Sequence, residues 1–276
     1  MKLSLGFSPC PNDTFLFDAM VHGKIDTEGL EFEILMADVE VLNQKAFANQ
    51  LNITKLSYHA YAYLMDTYSL LDAGSALGND CGPLLIAKNK LSDEALLSSK
   101  IAIPGKFTTA NFLLSLAYPQ AINREEMLFS DIEGAILSDK VDAGLIIHEN
   151  RFTYQDKGLK KIIDLGSFWE TQTGLPIPLG GIVIQNNIAI EIQQTVNRVL
   201  KRSVQFARKY PEQTGDFVQQ YAQEMDPEVM YKHIGLYVND FTETLGDLGK
   251  KAVNQLFEMA VEKEIIEKYD ASIYVC

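Results

Sequence analysis

Polar and ionisable side chains occur at four places where the sequence pattern predicts the end of a strand. The first is the turn SPCPNDTF, Ser8 to Phe15, which follows the apolar run LSLGF. Pro9 and Pro11 fix φ and remove two backbone donors, so the strand cannot continue through this turn. Asn12 or Asp13 could cap the helix predicted to follow. A rigid capped turn would explain these residues, but the two prolines favour the wall of a ligand-binding cleft.

The second place is the end of the predicted strand ITKLS, where Lys55, Leu56 and Ser57 precede a helix that begins near His59. Lys55 offers a positive charge, and Ser57 a hydroxyl, to an anionic ligand. A surface lysine followed by a serine that caps the helix would explain the same residues equally well.

The third place is the segment PGKFTTANF, in which Thr108 or Thr109 begins a predicted helix. A threonine hydroxyl and the unpaired N–H groups of a first helical turn together favour an anion. The segment is not a nucleotide-binding P-loop, because Lys100 and Phe107 occupy positions where that loop has a glycine and a Ser or Thr. We therefore expect it to bind a carboxylate or polyol, with an ordinary capped helix as the alternative.

The fourth place is AGLIIHENRF, in which His148 follows a wholly apolar run and precedes a charged helix start. A partly desolvated imidazole at a strand tip titrates near neutrality, which suits a general base. The alternative is a histidine with no chemical role, as we interpret His22, His59 and His233. No metal-site spacing, dinucleotide fingerprint or hydrolase signature is present, so we predict neither a metal nor a cofactor.

The elements that must position these residues alternate between short apolar runs and helical patterns. Such alternation predicts βαβ units and a mostly parallel sheet. From Ile188 onwards the sequence is nearly all amphipathic helix. The predicted strands lie at 3–7, 32–36, 53–57, 82–88, 100–104, 127–130, 143–148, 161–165 and 180–186.

Two of these runs, 82–88 and 180–186, are predicted to be crossover strands that join two α/β units, the second unit being inserted into the first. We therefore predict an α/β fold with two lobes, a clamshell with two crossover strands and its cleft at the hinge. Lobe 1 is predicted to comprise residues 1–87 and 187–276, with a helical C-terminal layer, and lobe 2 residues 88–186. The strand ends described above would face the cleft, where open α/β sheets bind ligands.

The composition of the chain limits which classes of molecule a protein with this fold could bind. The 276 residues carry a formal net charge of -13, which disfavours binding to nucleic acid and to anionic membranes. No apolar stretch approaches the roughly 18 residues of a membrane helix. The apolar run at the N-terminus is too short for a secretory signal, and the three cysteines show no CxxC pair. We expect a soluble cytoplasmic protein with a small anionic ligand; the sequence indicates no oligomeric state.

The motifs SPCPNDTF, KLS, GKFTTA and IHENRFTY, in this order, resemble those of the 1,4-dihydroxy-6-naphthoate synthase family of the futalosine route to menaquinone. The resemblance extends over essentially the whole chain. It implies a periplasmic-binding-protein-like (type II) fold used for catalysis in the cytoplasm. It also implies conversion of cyclic de-hypoxanthine futalosine to 1,4-dihydroxy-6-naphthoate, with His148 as general base and substrate contacts at Lys55–Ser57 and Thr109–Ala110.

A non-catalytic binding protein for a small carboxylate is the main alternative function. On residue chemistry alone, it explains the two lobes and the anion-ready loops as well as an enzyme does. It does not explain a base at a strand tip or the missing secretory signal. A ligand-sensing transcription regulator would need a basic helix-turn-helix segment, which the sequence lacks. The resemblance therefore favours an enzyme, a cofactor-independent carbon–carbon lyase.

Overall fold

A computed structural model describes residues 1–147, 150–222, 226–269 and 273–275. In chain order, the strands of these residues are β1 (Lys2–Phe7), β2 (Glu31–Met36), β3 (Ile53–Ser57), β4 (Tyr68–Leu70), β5 (Ala76–Gly78), β6 (Leu84–Ala87), β7 (Ile101–Ile103), β8 (Arg124–Glu126), β9 (Ala143–Ile146), β10 (Lys160–Asp164) and β11 (Ile177–Gln185). The α-helices are α1 (Pro11–Val21), α2 (Val39–Phe47), α3 (Tyr58–Tyr61), α4 (Asp93–Ser98), α5 (Thr109–Ala117), α6 (Phe129–Leu137), α7 (Asn150–Thr153), α8 (Leu165–Thr173), α9 (Ile190–Lys209), α10 (Gly215–Tyr221), α11 (Pro227–Tyr237), α12 (Asp240–Glu243) and α13 (Gly246–Glu262).

The chain divides into two units. The first comprises Met1–Gly78 and Pro178–Cys276, and the second comprises Asn79–Ile177. Both transitions lie earlier in the chain than the lobe boundaries predicted after residues 87 and 186. The strand β6 belongs to the second unit because it pairs with β9 and β10, both of which lie there.

The first unit contains a sheet with the strand order β2-β1-β3-β11-β4, and β5 pairs with β11. β1 runs parallel to β2 and β3, whereas β11 runs antiparallel to β3 and β4. The sheet is therefore mixed, and the prediction of a mostly parallel sheet is wrong here. The reason is that β11 enters the sheet at the edge where β3 leaves it, with Gly180 opposite Ser57.

The core of the first unit lies between its sheet and a layer of helices. Alternate residues of β1 point to this side, because successive side chains of a strand point to opposite faces, and they pack against α1 and α9. Full burial of one such side chain contributes about 1.5–3 kcal/mol. The buried core residues on these three elements are Leu3, Leu5, Phe7, Leu16, Phe17, Met20, Val196, Val199, Leu200 and Val204.

The outer edge of β4 is covered by the last described residues of the chain. The amide of Leu70 donates to the carbonyl of Ile273 at 2.7 Å, and the amide of Val275 donates to the carbonyl of Leu70 at 2.9 Å. A parallel bridge joins Leu70 to Tyr274. The C-terminal segment thus supplies backbone partners that an edge strand otherwise lacks.

The second unit contains a mixed sheet with the strand order β10-β6-β9-β7-β8. The predicted strand at 127–130 is wrong, because α6 already begins at Phe129 and the strand before it is β8. The sequence of β8 is REE, and its three side chains are only partly buried or exposed. This strand therefore has no apolar run from which it could be predicted. The helix α8 was not predicted; its N-cap is Asp164, the last residue of β10.

Of the helices in the described ranges, none is long and apolar enough to cross a bilayer.

Candidate functional site

The turn after β1 places a buried carboxylate at the C-terminal edge of the first unit's sheet. The N-cap of α1 is Cys10, and Pro11 occupies the first helical position, where its missing N–H costs nothing. Asn12 and Asp13 therefore lie in the first turn of the helix, and the prediction that one of them caps it is wrong. Their side chains are buried and point to other polar groups.

Four hydrogen bonds surround the carboxylate of Asp13. Its Oδ2 accepts from the amide of Ser8 at 3.1 Å and from Ser8 Oγ at 2.8 Å. Its Oδ1 accepts from Asn12 Nδ2 at 2.8 Å and from Lys55 Nζ at 2.9 Å. An ionised carboxylate has about four acceptor positions, so these bonds use all of them.

Lys55 reaches Asp13 because β1 and β3 are parallel neighbours whose C-terminal ends lie at one edge of the sheet. Its side chain is only 8% exposed, and that of Asp13 is 1% exposed. Within the described residues, Asp13 is the one acceptor of Lys55 Nζ, so two of its three N–H groups donate to no protein atom there. The lysine predicted to bind an anion is thus buried, ion-paired and partly unused as a donor.

Ser57 is held by Asn43 of α2, a residue whose part in the site the sequence left open. Asn43 Oδ1 accepts from the amide of Ser57 at 3.1 Å, and Asn43 Nδ2 donates to Ser57 Oγ at 3.4 Å and to Glu40 Oε2 at 3.0 Å. Ser57 occupies the N-cap position of α3, but its side chain makes no cap hydrogen bond. The neighbouring Leu56 is fully buried, so it can offer a ligand only its backbone.

Asp38, at the start of α2, is the N-cap of the helix that carries Asn43. Its side chain accepts from the amide of Glu40 at 2.9 Å. Burial raises the pKa of the Asp38 carboxyl above its ordinary value, and the hydrogen bond from Glu40 opposes this only in part. The helix start is therefore held by a carboxylate for which burial disfavours the charged form.

Gly180 of β11 lies against the Lys55–Ser57 segment. A β-carbon at position 180 would lie 2.7 Å from the carbonyl oxygen of Leu56 and 3.3 Å from Lys55 Cε. The close approach requires a residue without a side chain, which explains a glycine in the interior of a strand.

His233 of α11 is a member of this buried cluster, although sequence reasoning assigned it no chemical role. Its Nε2 lies 3.0 Å from Asn12 Oδ1, and its side chain is fully buried. The two residues are 221 positions apart in the chain, so no local pattern could have joined them.

In the second unit, Thr108 is the N-cap of α5, so the helix predicted at Thr108–Thr109 is confirmed. Thr108 Oγ1 accepts from the amide of Asn111 at 3.3 Å and donates to the carbonyl of Gly105 at 2.8 Å. Thr109 and Ala110 form the first turn and are buried. Hydrogen bonds within the loop thus occupy the Thr108 hydroxyl, and the backbone of this first turn is the part suited to an anion.

His148 and Glu149 lie outside the described residues, so the predicted general base has no described geometry. The residues that follow are well anchored. Asn150 Nδ2 donates to Glu133 Oε2 at 2.7 Å. Arg151 donates to Asp164 Oδ2 at 2.9 Å and to the carbonyl oxygen of Gly82.

The structure thus describes the predicted site residues as two groups, one in each unit. Asn12, Asp13, Lys55, Leu56 and Ser57 lie together at one sheet edge of the first unit, and Thr108, Thr109 and Ala110 lie together at a helix start of the second. Across the described ranges, no three His, Cys, Asp or Glu side chains are placed to hold a metal ion.

Comparison with known proteins assigns the chain to a family. Residues 3–262 match the family model described as menaquinone biosynthesis. The chain belongs to this menaquinone biosynthesis family. Its relatives include a protein of Thermus thermophilus named 1,4-dihydroxy-6-naphtoate synthase, 44% identical over 258 residues, which are 94% of this chain and 93% of the relative. A Streptomyces coelicolor protein of the same name is 39% identical over 269 residues, 96% of this chain and 94% of that protein.

Solved structures show which fold the chain has. A crystal structure of a protein from Archaeoglobus fulgidus matches with a TM-score of 0.91 and 40% identity, covering 96% of this chain and 98% of that one. A Candida albicans protein with the generic periplasmic binding protein fold matches with a TM-score of 0.69 at 13% identity, covering 99% of this chain and 93% of that one. The predicted periplasmic-binding-protein-like fold is confirmed. The predicted enzyme is confirmed as well, since the named relatives are synthases.

Proposed function

We propose that this protein is a 1,4-dihydroxy-6-naphthoate synthase, a carbon–carbon lyase that acts on cyclic de-hypoxanthine futalosine. The observation that supports this most strongly is the 44% and 39% identity to two proteins of that name over nearly the whole chain. The family match over residues 3–262 spans both structural units and the positions of all predicted site residues. We also propose that the enzyme is cytoplasmic and needs no cofactor, as the sequence resemblance implies.

In the proposed reaction, His148 acts as a general base. It removes a proton next to a carbonyl of the substrate, and the electron pair left behind opens the spiro-fused ring. The sugar-derived fragment then departs, and aromatisation to the naphthol drives the reaction forward. A positioned general base contributes about 10²–10⁴-fold to such a rate. His148 suits this role because it follows the end of β9 by two residues in the chain, and Asn150 and Arg151 after it are anchored to the buried Glu133 and the partly buried Asp164.

The substrate carboxylate is proposed to bind Lys55 and Ser57. Two N–H groups of Lys55 have no acceptor in the described protein, and charge-assisted hydrogen bonds to a carboxylate are about twice as strong as neutral ones. Ser57 Oγ accepts from Asn43 and donates to no described group, so its own hydrogen is available to a ligand oxygen. The hydrogen bonds that Asp13 accepts from Ser8 and Asn12 fix the partner of Lys55 in place.

The first turn of α5 is proposed as a second substrate-binding segment. The amides of Thr109 and Ala110 lie at the positive end of a nine-residue helix, where backbone donors stabilise oxygen atoms that carry negative charge. The Thr108 hydroxyl holds the turn in shape through Gly105 and Asn111 and is not itself required as a ligand group.

The direct test is to incubate the purified protein with cyclic de-hypoxanthine futalosine, without added metal or cofactor, and to follow dihydroxynaphthoate by chromatography. We expect product at a rate proportional to enzyme concentration. Binding of the substrate in calorimetry without product formation would favour the alternative, a binding protein for a small carboxylate. Absence of both binding and product would contradict the proposed substrate.

A further inference from the structure

We propose that His233 and Asn12 are positioning residues for Lys55 and act on it through Asp13. This inference rests on the proposed function, because it assigns Lys55 to substrate binding. The four side chains form a continuous chain of hydrogen bonds from α11 through α1 to the end of β3. All four residues are at least nine-tenths buried.

The side-chain amide of Asn12 has one orientation that fits both of its partners. Its Nδ2 lies 2.8 Å from Asp13 Oδ1, and an ionised carboxylate can only accept hydrogen bonds. The amide nitrogen is therefore the donor to Asp13. Asn12 Oδ1 then faces His233 Nε2 at 3.0 Å and must accept from it. The imidazole of His233 consequently carries a hydrogen on Nε2.

The hydrogen bonds of Asp13 limit what its carboxylate can do in the site. Ser8, Asn12 and Lys55 supply four hydrogen bonds to its two oxygens. Asp13 has no acceptor position left for a substrate hydroxyl or for an abstracted proton. Its function in the site is therefore to fix the ammonium group of Lys55.

The fixed carboxylate of Asp13 limits the mobility of the Lys55 side chain. A lysine side chain is flexible, and its ordering carries an entropic cost. Because Ser8 and Asn12 hold the carboxylate of Asp13 with three hydrogen bonds, Asp13 confines Lys55 Nζ to one position before the substrate arrives, which lowers the cost of binding. Breaking the chain of hydrogen bonds at His233 should therefore weaken substrate binding and leave the proton-transfer step nearly unchanged. Such a loss appears in KM and not in kcat.

The kinetic test compares two variants at one position. In His233→Leu no donor faces Asn12, and we expect KM to rise about tenfold with kcat within about twofold of wild type. In His233→Gln the side-chain amide can still donate to Asn12, and we expect KM near that of wild type. The control is His22→Gln, which removes a histidine bonded to Asp18 outside the chain of hydrogen bonds. Equal KM changes in the leucine and glutamine variants, or a loss confined to kcat, would overturn the proposal.

A second measurement tests the hydrogen bonds without relying on activity. The ¹⁵N chemical shifts of the histidine rings in the wild-type protein report which nitrogen carries the hydrogen, and His233→Gln assigns the relevant signals. We expect Nε2 of His233 to be protonated. An unprotonated Nε2 would rule out donation to Asn12 even if the protein is an active synthase. Conversely, a protonated Nε2 in a protein without synthase activity would contradict the proposed function and not the hydrogen-bond chain.

Discussion

Gly180 lies against Lys55 so closely that a β-carbon at position 180 would be 3.3 Å from Lys55 Cε, and only 2.7 Å from the carbonyl oxygen of Leu56. The carbonyl is part of the backbone of β3 and cannot move without disturbing the pairing of β3 with β11. The lysine is thus confined from one side by a strand and from the other by Asp13.

Replacement of Gly180 by alanine should impair substrate binding. The added methyl group must push Lys55 or the backbone of Leu56 aside, and displacement of a binding group by about 1 Å can cost on the order of 100-fold in activity. We expect KM to increase by about tenfold or more in steady-state assays. The matched control is Gly134→Ala in α6, where a β-carbon meets nothing within 4 Å. Equal kinetics for the two variants would contradict the proposed role of Lys55.

Removal of either partner of the Asp13–Lys55 pair should destabilise the fold to different extents. Asp13→Asn leaves a buried ammonium without its counter-charge, and the loss of one partner of a buried pair costs about 3–5 kcal/mol. Lys55→Met should cost less, because Asp13 keeps its hydrogen bonds from Ser8 and Asn12. Urea unfolding monitored by circular dichroism gives both free energies of unfolding. The opposite order would show that Ser8 and Asn12 do not stabilise the carboxylate.

Replacement of His148 by asparagine should abolish most turnover while the protein remains folded. If His148 is the general base, kcat should fall by about 10²–10⁴-fold, with substrate binding retained in calorimetry. His59→Asn is a suitable comparison, because we assign His59 no chemical role. Activity of His148→Asn close to that of wild type would remove His148 from the mechanism.

Two substitutions of Asp164 should separate its two contacts. Asp164 Oδ1 accepts from the amides of Gly166 and Ser167 at the start of α8, and its Oδ2 accepts from Arg151 at 2.9 Å. Asparagine keeps the cap and loses the ion pair, whereas alanine loses both. We expect Asp164→Ala to be less stable than Asp164→Asn by about 1 kcal/mol, the usual contribution of a cap.

The same pair of variants tests whether Arg151 matters for catalysis. Arg151 lies three residues after His148 in the chain, and its ion pair with Asp164 fixes its position. Asp164→Asn should therefore lower kcat more than its small loss of stability explains. Equal kcat values for Asp164→Asn and wild type would show that this anchor is only structural.

Stability should depend on pH through Asp38. Because burial raises the folded-state pKa of its carboxyl above 3.8, ionisation is disfavoured in the folded state. Its contribution to stability is fully present below pH 3.8 and is lost as pH rises through the folded-state pKa. Asp38→Asn keeps a side-chain oxygen for the amide of Glu40 and carries no charge. Urea unfolding should show the variant gaining stability over wild type between about pH 4 and pH 7; a constant difference would contradict the effect of burial.

The sequence predicted those features that depend on residues close together in the chain. The rigid turn at Pro9–Pro11, the cap at Thr108 and most strand positions follow from local rules of φ, capping and periodicity. The relative directions of neighbouring strands could not be predicted from these rules, because an apolar run is compatible with parallel and with antiparallel pairing. β11 was recognised as a buried strand, but its antiparallel pairing with β3 is a property of where the chain re-enters the sheet.

The polar partners of the site also lay beyond local rules. Lys55 and Asp13 are 42 residues apart, and His233 reaches Asn12 across 221 residues. Each side chain taken alone resembles an ordinary cap, a surface lysine or a core histidine. Only the packing of α11 on α1 and the pairing of β1 with β3 show that they form one buried cluster.

The covering of β4 by Ile273–Val275 has a consequence for how copies of this protein meet in concentrated solution. In the described part of the first unit, β2 is then the remaining outer strand of the main sheet path. Its Glu31 and Glu33 are exposed, Glu33 being paired with Lys2 at 3.0 Å, and two copies approaching through β2 would bring the Glu31 carboxylates together on molecules that each carry a net charge of -13. Repulsion of this kind disfavours the addition of strands from one molecule to another. At the other end of the main sheet path, the amide and carbonyl of Leu70 are already bonded to Ile273 and Val275 and are not available for strand addition.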